Sequence, residues 1–234
     1  MKKVEEQQYV NSLLNNPMSN YKTYVLKKGE NILVRLLSFC VGGCVGLVFY
    51  GGLFKIDGFA TIYTHISNLI IFIIVGFLAM KFFLSLYKKS RLEKMQNKLK
   101  IQFRDMLESL SASLSAGSNI HNAFESVLND LKMQYSEDDY IIREMKEIVD
   151  GIRQNIGIEE MLRDFGERSG NEDIINFADI FEICYQKGGN LNLVIHRIHN
   201  SISEKIAISD EIETKLTSNK MQHNVMSIMP IVVV

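Results

Sequence analysis

Tryptophan is absent from the 234 residues, and proline stands only at Pro17 and Pro230. Nothing between those two prolines forces a helix to kink or stop. Strand signals are missing too. Asp57-Gly58 and Asp150-Gly151 do not lie between alternating β-branched runs, so neither reads as a hairpin turn. Cysteine occurs three times, at Cys40, Cys44 and Cys184. The first two are spaced i,i+4, but no histidine or second cysteine pair completes a zinc set. All three read as small apolar residues in packed helices, and no disulfide framework is indicated.

Chemical signatures are equally scarce. The chain has no Gly-x-x-x-x-Gly-Lys-Ser/Thr loop for nucleotide phosphates, no Gly-x-Ser-x-Gly elbow and no His-Glu-x-x-His zinc helix. His196 and His199 stand three apart without a carboxylate to complete a metal set, and they read as solvated or half-buried. His121 is followed only by Asn122, and His65 and His223 have no visible partners. The carboxylates Glu137, Asp138 and Asp139 lack the Asp-x-Asp-x-Asp-Gly pattern of a calcium loop. No cofactor, no metal and no enzymatic activity is expected.

What the chain does contain is long apolar runs. Leu36 to Phe54 is one, preceded by Lys27, Lys28 and Arg35. Ile66 to Leu86 is another, followed by Lys88, Lys89 and Arg91. Each is long enough to cross a hydrocarbon core of about 30 Å as a helix. Positive charge flanks both outer ends, which places the N-terminus and everything after residue 91 in the cytosol, with the loop from Lys55 to His65 opposite. Neither span holds an aspartate or glutamate, which argues against a proton or ion path. Lys81 can snorkel to the headgroups. In the first span Ser38, Gly42 and Gly46 are spaced by four, as close helix packing requires. The partner is either the second helix of the same hairpin or another membrane subunit. Met221 to Val234 is apolar again and reads as the truncated start of a third span.

Between these runs, residues 91–220 form a string of amphipathic helices punctuated by glycine. Phe103, Met106, Leu107, Leu110 and Leu114 share one stripe. Gly117 stops that helix, and Ser118 caps the next, which carries Ile120, Phe124, Val127, Leu128 and Leu131. Ile141, Met145, Ile148, Val149 and Ile152 mark a third helix ended by Gly157. Met161, Leu162 and Phe165 mark a fourth, ended by Gly170. A fifth buries Ile174, Phe177, Ile180, Phe181 and Cys184, up to Gly188-Gly189. The sixth carries Leu191, Val194, Ile198, Ile202, Ile212 and Leu216. The expected fold is all-α: a transmembrane hairpin (32–54 and 66–87), a cytosolic six-helix antiparallel bundle (91–220) and the start of a further span (221–234). Residues 1–31 read as a flexible or partly helical cytosolic lead, not a signal peptide.

Charge is divided between these regions. Residues 91–220 carry 16 Lys and Arg against 23 Asp and Glu, while the rest carries 10 against 4. An acidic domain is a poor surface for nucleic acid and a better one for a basic protein. Glu144, Glu147 and Asp150 are the candidate face for such a partner.

Three stretches then carry a family likeness. Leu110 to Val127 (LSASLSAGSNIHNAFESV), Gly157 to Gly170 (GIEEMLRDFGERSG) and Lys187 to Ile202 (KGGNLNLVIHRIHNSI) resemble, in order and spacing, the F domain of type II secretion and type IV pilus platform proteins. The likeness covers about residues 92–230. One hairpin ahead of a single F domain is most similar to the Tad/Flp pilus assembly platform proteins; the general secretion and type IVa members carry the domain twice. The matching positions are Ser115, Gly117, Ala123, Gly157, Gly188, Gly189 and Leu191, with structural roles in turns and packing. The resemblance implies a non-enzymatic inner-membrane platform. It would couple a hexameric secretion ATPase to pilin or pseudopilin subunits, in contact with other platform subunits and the lipid bilayer. The rival reading is a membrane-anchored signalling or scaffold protein with a cytosolic helical output. Its weakness is a loop of about ten residues between the spans, too short to sense much.

Overall fold

The computed structural model describes residues 9–26, 28–50 and 62–233, with side chains as far as residue 216. The end of the first expected span (51–54), most of the loop after it (55–61) and the side chains of the expected third span lie outside the described residues. Among the described residues the fold is all-α, with two three-residue strands, β1 (Tyr9–Asn11) and β2 (Pro17–Ser19), paired in a small ribbon. The helices are α1 (Lys28–Tyr50), α2 (Ile62–Ser115), α3 (Ile120–Gln134), α4 (Tyr140–Arg153), α5 (Ile158–Ser169), α6 (Glu172–Lys187) and α7 (Leu191–Val233). α1 and α2 are long and apolar enough to cross a membrane.

Two compact units divide the chain. The first comprises residues 1–10 and 20–96, the second residues 11–19 and 97–234.

In the first unit α1 packs on α2 through glycine. A Cβ at Gly42 would stand 2.2 Å from Cβ of Ala79, and one at Gly43 only 2.4 Å from the Phe72 ring. Gly46 meets Val75 in the same way, and Gly76 answers from α2 against Phe39. Without side chains at these points the backbones approach closely, and dispersion replaces the hydrophobic drive that lipid cannot supply. Phe39 and Phe72 close the contact edge to face, with centroids 5.5 Å apart. Beyond the apolar stretch, Glu30 in the first turn of α1 accepts from the Tyr87 hydroxyl (2.6 Å) and from Arg91 (3.0 Å) on α2. Gln96 donates to the carbonyl of Tyr21, whose side chain is fully buried. Residues 20–26, expected to be part of a flexible or partly helical lead, are therefore packed, with Tyr21 and Leu26 buried.

In the second unit a phenylalanine cluster forms the core. Phe103 of α2 meets Phe165 of α5 and Phe177 of α6 edge to face, with centroids 6.1 and 5.4 Å apart. Phe181 lies against Phe124 of α3 at 6.2 Å. Such pairs add about 0.5–1.5 kcal/mol each beyond the area they bury. Leu99, Met106, Leu107 and Leu110 of α2, Leu131 of α3, and Ile141 and Met145 of α4 complete the apolar interior.

Several sequence expectations shift by a residue or a turn. No break separates the second span from the first helix of the domain, since α2 runs unbroken from Ile62 to Ser115. Asn119, not Ser118, caps α3 with its side chain, accepting from the Asn122 amide. Just past the end of α4 the left-handed residue is Asn155 (φ 62°) rather than Gly157, because asparagine tolerates that region and Gly157 is already the extended cap of α5. At the Gly188-Gly189 pair the left-handed residue is Gly188 (φ 71°), while the Gly189 amide closes the helix on the Cys184 carbonyl at 2.8 Å. Ile180 is 40% exposed, because the buried stripe of α6 follows Ile174, Phe177, Ala178 and Phe181. Among the described side chains of α7, only Ile195 and Ile202 are fully buried, and Ile212 and Leu216 face outward.

Candidate interaction surface of the helical domain

α4 is where the expected partner face should lie, and its geometry redraws that face. Glu144 is 0% exposed and receives a two-pronged ion pair from Arg168 of α5: Nη1 donates to Oε1 and Nη2 to Oε2, each at 2.8 Å. Arg168 Nε also donates to Asp164 Oδ2 at 2.8 Å, one turn back on its own helix. Burial alone would lower the pKa of this guanidinium, but the two carboxylates outweigh it and raise it above its ordinary value. Glu147 is 5% exposed, with the Ser12 hydroxyl donating to one oxygen and Asn16 Nδ2 to the other, the latter at 3.0 Å. Of Glu144, Glu147 and Asp150, only Asp150 offers its carboxylate to solvent. The expected acidic face is thus corrected: two of its three members are internal pairs holding α4 to α5 and to the β1–β2 turn. A buried carboxylate without such donors would cost several kcal/mol.

Two further polar links cross the domain. Asp173, in the first turn of α6, lies between Lys205 of α7 (2.5 Å) and Lys100 of α2 (3.4 Å). Burial pushes this carboxyl up, but the two ammonium groups win and hold it below the usual carboxylate range. Asn192 of α7 accepts from the Ser111 hydroxyl at 3.2 Å and donates to Ser115 at 2.9 Å, both on α2. Where α4 begins, Lys98 meets Asp139 at 2.5 Å. That ammonium, with donors from Ser136 and against the opposing effect of burial, holds Asp139 down to about 2. Burial, with Asp105 accepting its hydroxyl proton, pushes Tyr135 up to about 12. These groups are all committed to partners within the fold.

The motif positions fall at turns and helix contacts. Gly117 (φ 86°) and Gly188 are left-handed, Ala123 is buried on α3, Ser115 is tied to Asn192, and Leu191 opens α7 half-buried. Gly157 and Gly189 adopt conformations open to other residues. Gly42 and Gly46 face α2, whereas Ser38 lines a small groove with Leu37, Val41 and Phe83. Cys40 and Cys44 are exposed on α1 instead of packed, and Cys184 is half-buried. His196 is exposed and His199 half-buried, with Asn200 between them at 3.3 and 3.2 Å.

Arg168, missed in the sequence, and the burial of Glu144 both had a readable signal. Arg168 lies on the apolar stripe of Met161, Leu162 and Phe165, and Glu144 on that of Ile141, Met145 and Ile148. Opposite charges at core register on neighbouring helices call for each other.

The family described as "Type II secretion system (T2SS), protein F" matches residues 106–234, from within α2 through α7. The chain belongs to that family. No curated protein and no solved structure matches it. All three quoted stretches, and the Glu144–Arg168 pair, lie within the matched residues. The protein F match leaves out α1, the apolar part of α2 and the β1–β2 turn that seats Glu147.

Proposed function

We propose that this protein is a non-enzymatic inner-membrane platform subunit of a Tad/Flp-like pilus or type II secretion machine. The N-terminus and helical domain lie in the cytosol. A hexameric ATPase engages the domain, and its motion passes to pilin or pseudopilin subunits and to neighbouring platform subunits through protein contacts. The observation that carries this reading is the protein F match on a domain whose first helix is the continuation of an apolar span. The apolar span and the first helix of the domain belong to one helix of 54 residues, which offers a continuous route for displacement. The basic residues outside both spans support the cytosolic assignment.

Co-purification tests it. The full-length protein in detergent or nanodiscs should capture a hexameric ATPase and alter its turnover, and should hydrolyse no nucleotide itself. Capture of a kinase-like partner in its place would support the signalling alternative. Turnover by the purified protein alone would overturn the platform reading.

A further inference from the structure

Glu144 and Glu147 sit one turn apart on α4, both buried, yet they are held in different ways. Glu144 has a cation on both oxygens. Glu147 has two neutral donors, Ser12 Oγ and Asn16 Nδ2, and among the described residues no ion pair. Both donors come from one tight turn. The Ser12 amide donates to the Asn16 carbonyl at 3.0 Å, the Asn15 amide to the Ser12 carbonyl at 2.9 Å, and Asn15 takes φ 62°. The Asn11 side chain donates to Asn15 Oδ1 at 3.0 Å, so the turn is shaped by its own polar groups.

This strap, residues 11–19, belongs to the same compact unit as the helical domain but lies outside the residues that match protein F. Its hold is thin. Ser12 and Met18 are buried, whereas Asn11, Leu13, Asn15, Asn16 and Pro17 are exposed. Hydrogen bonds from neutral donors to a carboxylate are weaker than a bidentate guanidinium pair. Segments with few buried contacts open at far lower cost than the core they rest on.

We propose that the strap is a releasable latch over α4, with the Glu147 carboxylate as its catch. Closed, it masks Glu147. Open, it leaves that carboxylate without donors and next to the exposed Asp150, so the acidic face of α4 forms only in the unlatched state. The latch stands independently of which partner the domain engages.

Hydrogen exchange on the full-length protein in nanodiscs tests this. In the wild type the amides of Ser12, Asn15 and Asn16 should exchange more slowly than those of the exposed α2–α3 turn and faster than those of α4 and α6. Ser12→Asp sets a like charge against Glu147 and should speed strap exchange about tenfold or more, with α4 and α6 unchanged. Adding Glu147→Lys to Ser12→Asp should restore protection, a rescue that a merely damaged fold would not show. Asn16→Ala, which removes one donor only, should give a smaller increase at the same amides. The proposal is overturned if wild-type strap amides exchange as fast as the open turn. It is equally overturned if Ser12→Asp leaves them protected, or if that variant loosens α4 and α6 together with the strap.

Discussion

The Arg168 guanidinium grips both oxygens of the Glu144 carboxylate through two hydrogen bonds of 2.8 Å, with side chains 5% and 0% exposed. One pair thereby staples α4 to α5 in the interior of the domain. Removing either partner strands a charge away from water. Glu144→Ala or Arg168→Ala should therefore cost about 3–5 kcal/mol, whereas an apolar replacement of both, such as Glu144→Leu with Arg168→Met, should cost much less. Urea unfolding of the three variants gives the comparison. Equal losses for single and double variants would remove the pair from the account.

The hairpin should be intolerant at Gly42 and indifferent at Gly29. A Cβ at Gly42 meets the Ala79 side chain at 2.2 Å, while nothing lies within 4 Å of one at Gly29. Gly42→Val should overpack the contact and cost about 1–3 kcal/mol. Gly29→Ala should be neutral or slightly stabilising, since alanine favours helix. Thermal unfolding in detergent distinguishes them.

The two glycines after α6 should separate as well. Gly188 holds φ 71° and Gly189 does not. Gly188→Val should cost about 1–2 kcal/mol through the left-handed backbone, and Gly188→Asn less. A Cβ at Gly189 would meet Cys184 at 3.4 Å, so Gly189→Ala should be the milder change. Melting temperatures of the set decide it.

Acid stability should depend on Lys98. In the fold Asp139 sits at about 2, below its ordinary 3.8, chiefly because Lys98 pairs with it. A depressed carboxyl contributes stability that is complete above the ordinary value and is lost as pH falls toward the folded one. Lys98→Met should thus weaken the domain at neutral pH and remove part of its pH dependence between about 4 and 2. Asp173, held below the usual carboxylate range by Lys205 and Lys100, likewise contributes stability that is lost as pH falls below the ordinary carboxylate value. Stability against pH for the wild type and Lys98→Met provides the check. Parallel curves would refute the assignment.

The all-α class, the two long apolar runs and most of the core were legible in the sequence, because helical periodicity directly reports which face is buried. Phe103, Phe124, Phe165 and Phe177 all lie where their stripes put them. Local chemistry was less legible. Asn155 and Asn119 act where Gly157 and Ser118 were expected, since several residue types satisfy the same cap and only the backbone chooses among them. The buried state of Glu144 and Glu147 depends on Arg168, 24 residues on, and on Ser12, 135 residues back. No local window holds both ends of either contact. The strap was the least legible part: its asparagines read as a flexible or partly helical lead, whereas Asn11, Asn15 and Asn16 serve the turn that seats Glu147.

Cross-linking mass spectrometry on the full-length protein in its native membrane tests the central claim most directly. Lys132 and Lys187 are exposed at the ends of α3 and α6, and Lys205 is exposed on α7 beside Asp173. The platform account predicts links from these lysines to a hexameric ATPase. Links confined to the protein itself, or to a kinase-like partner, would contradict it.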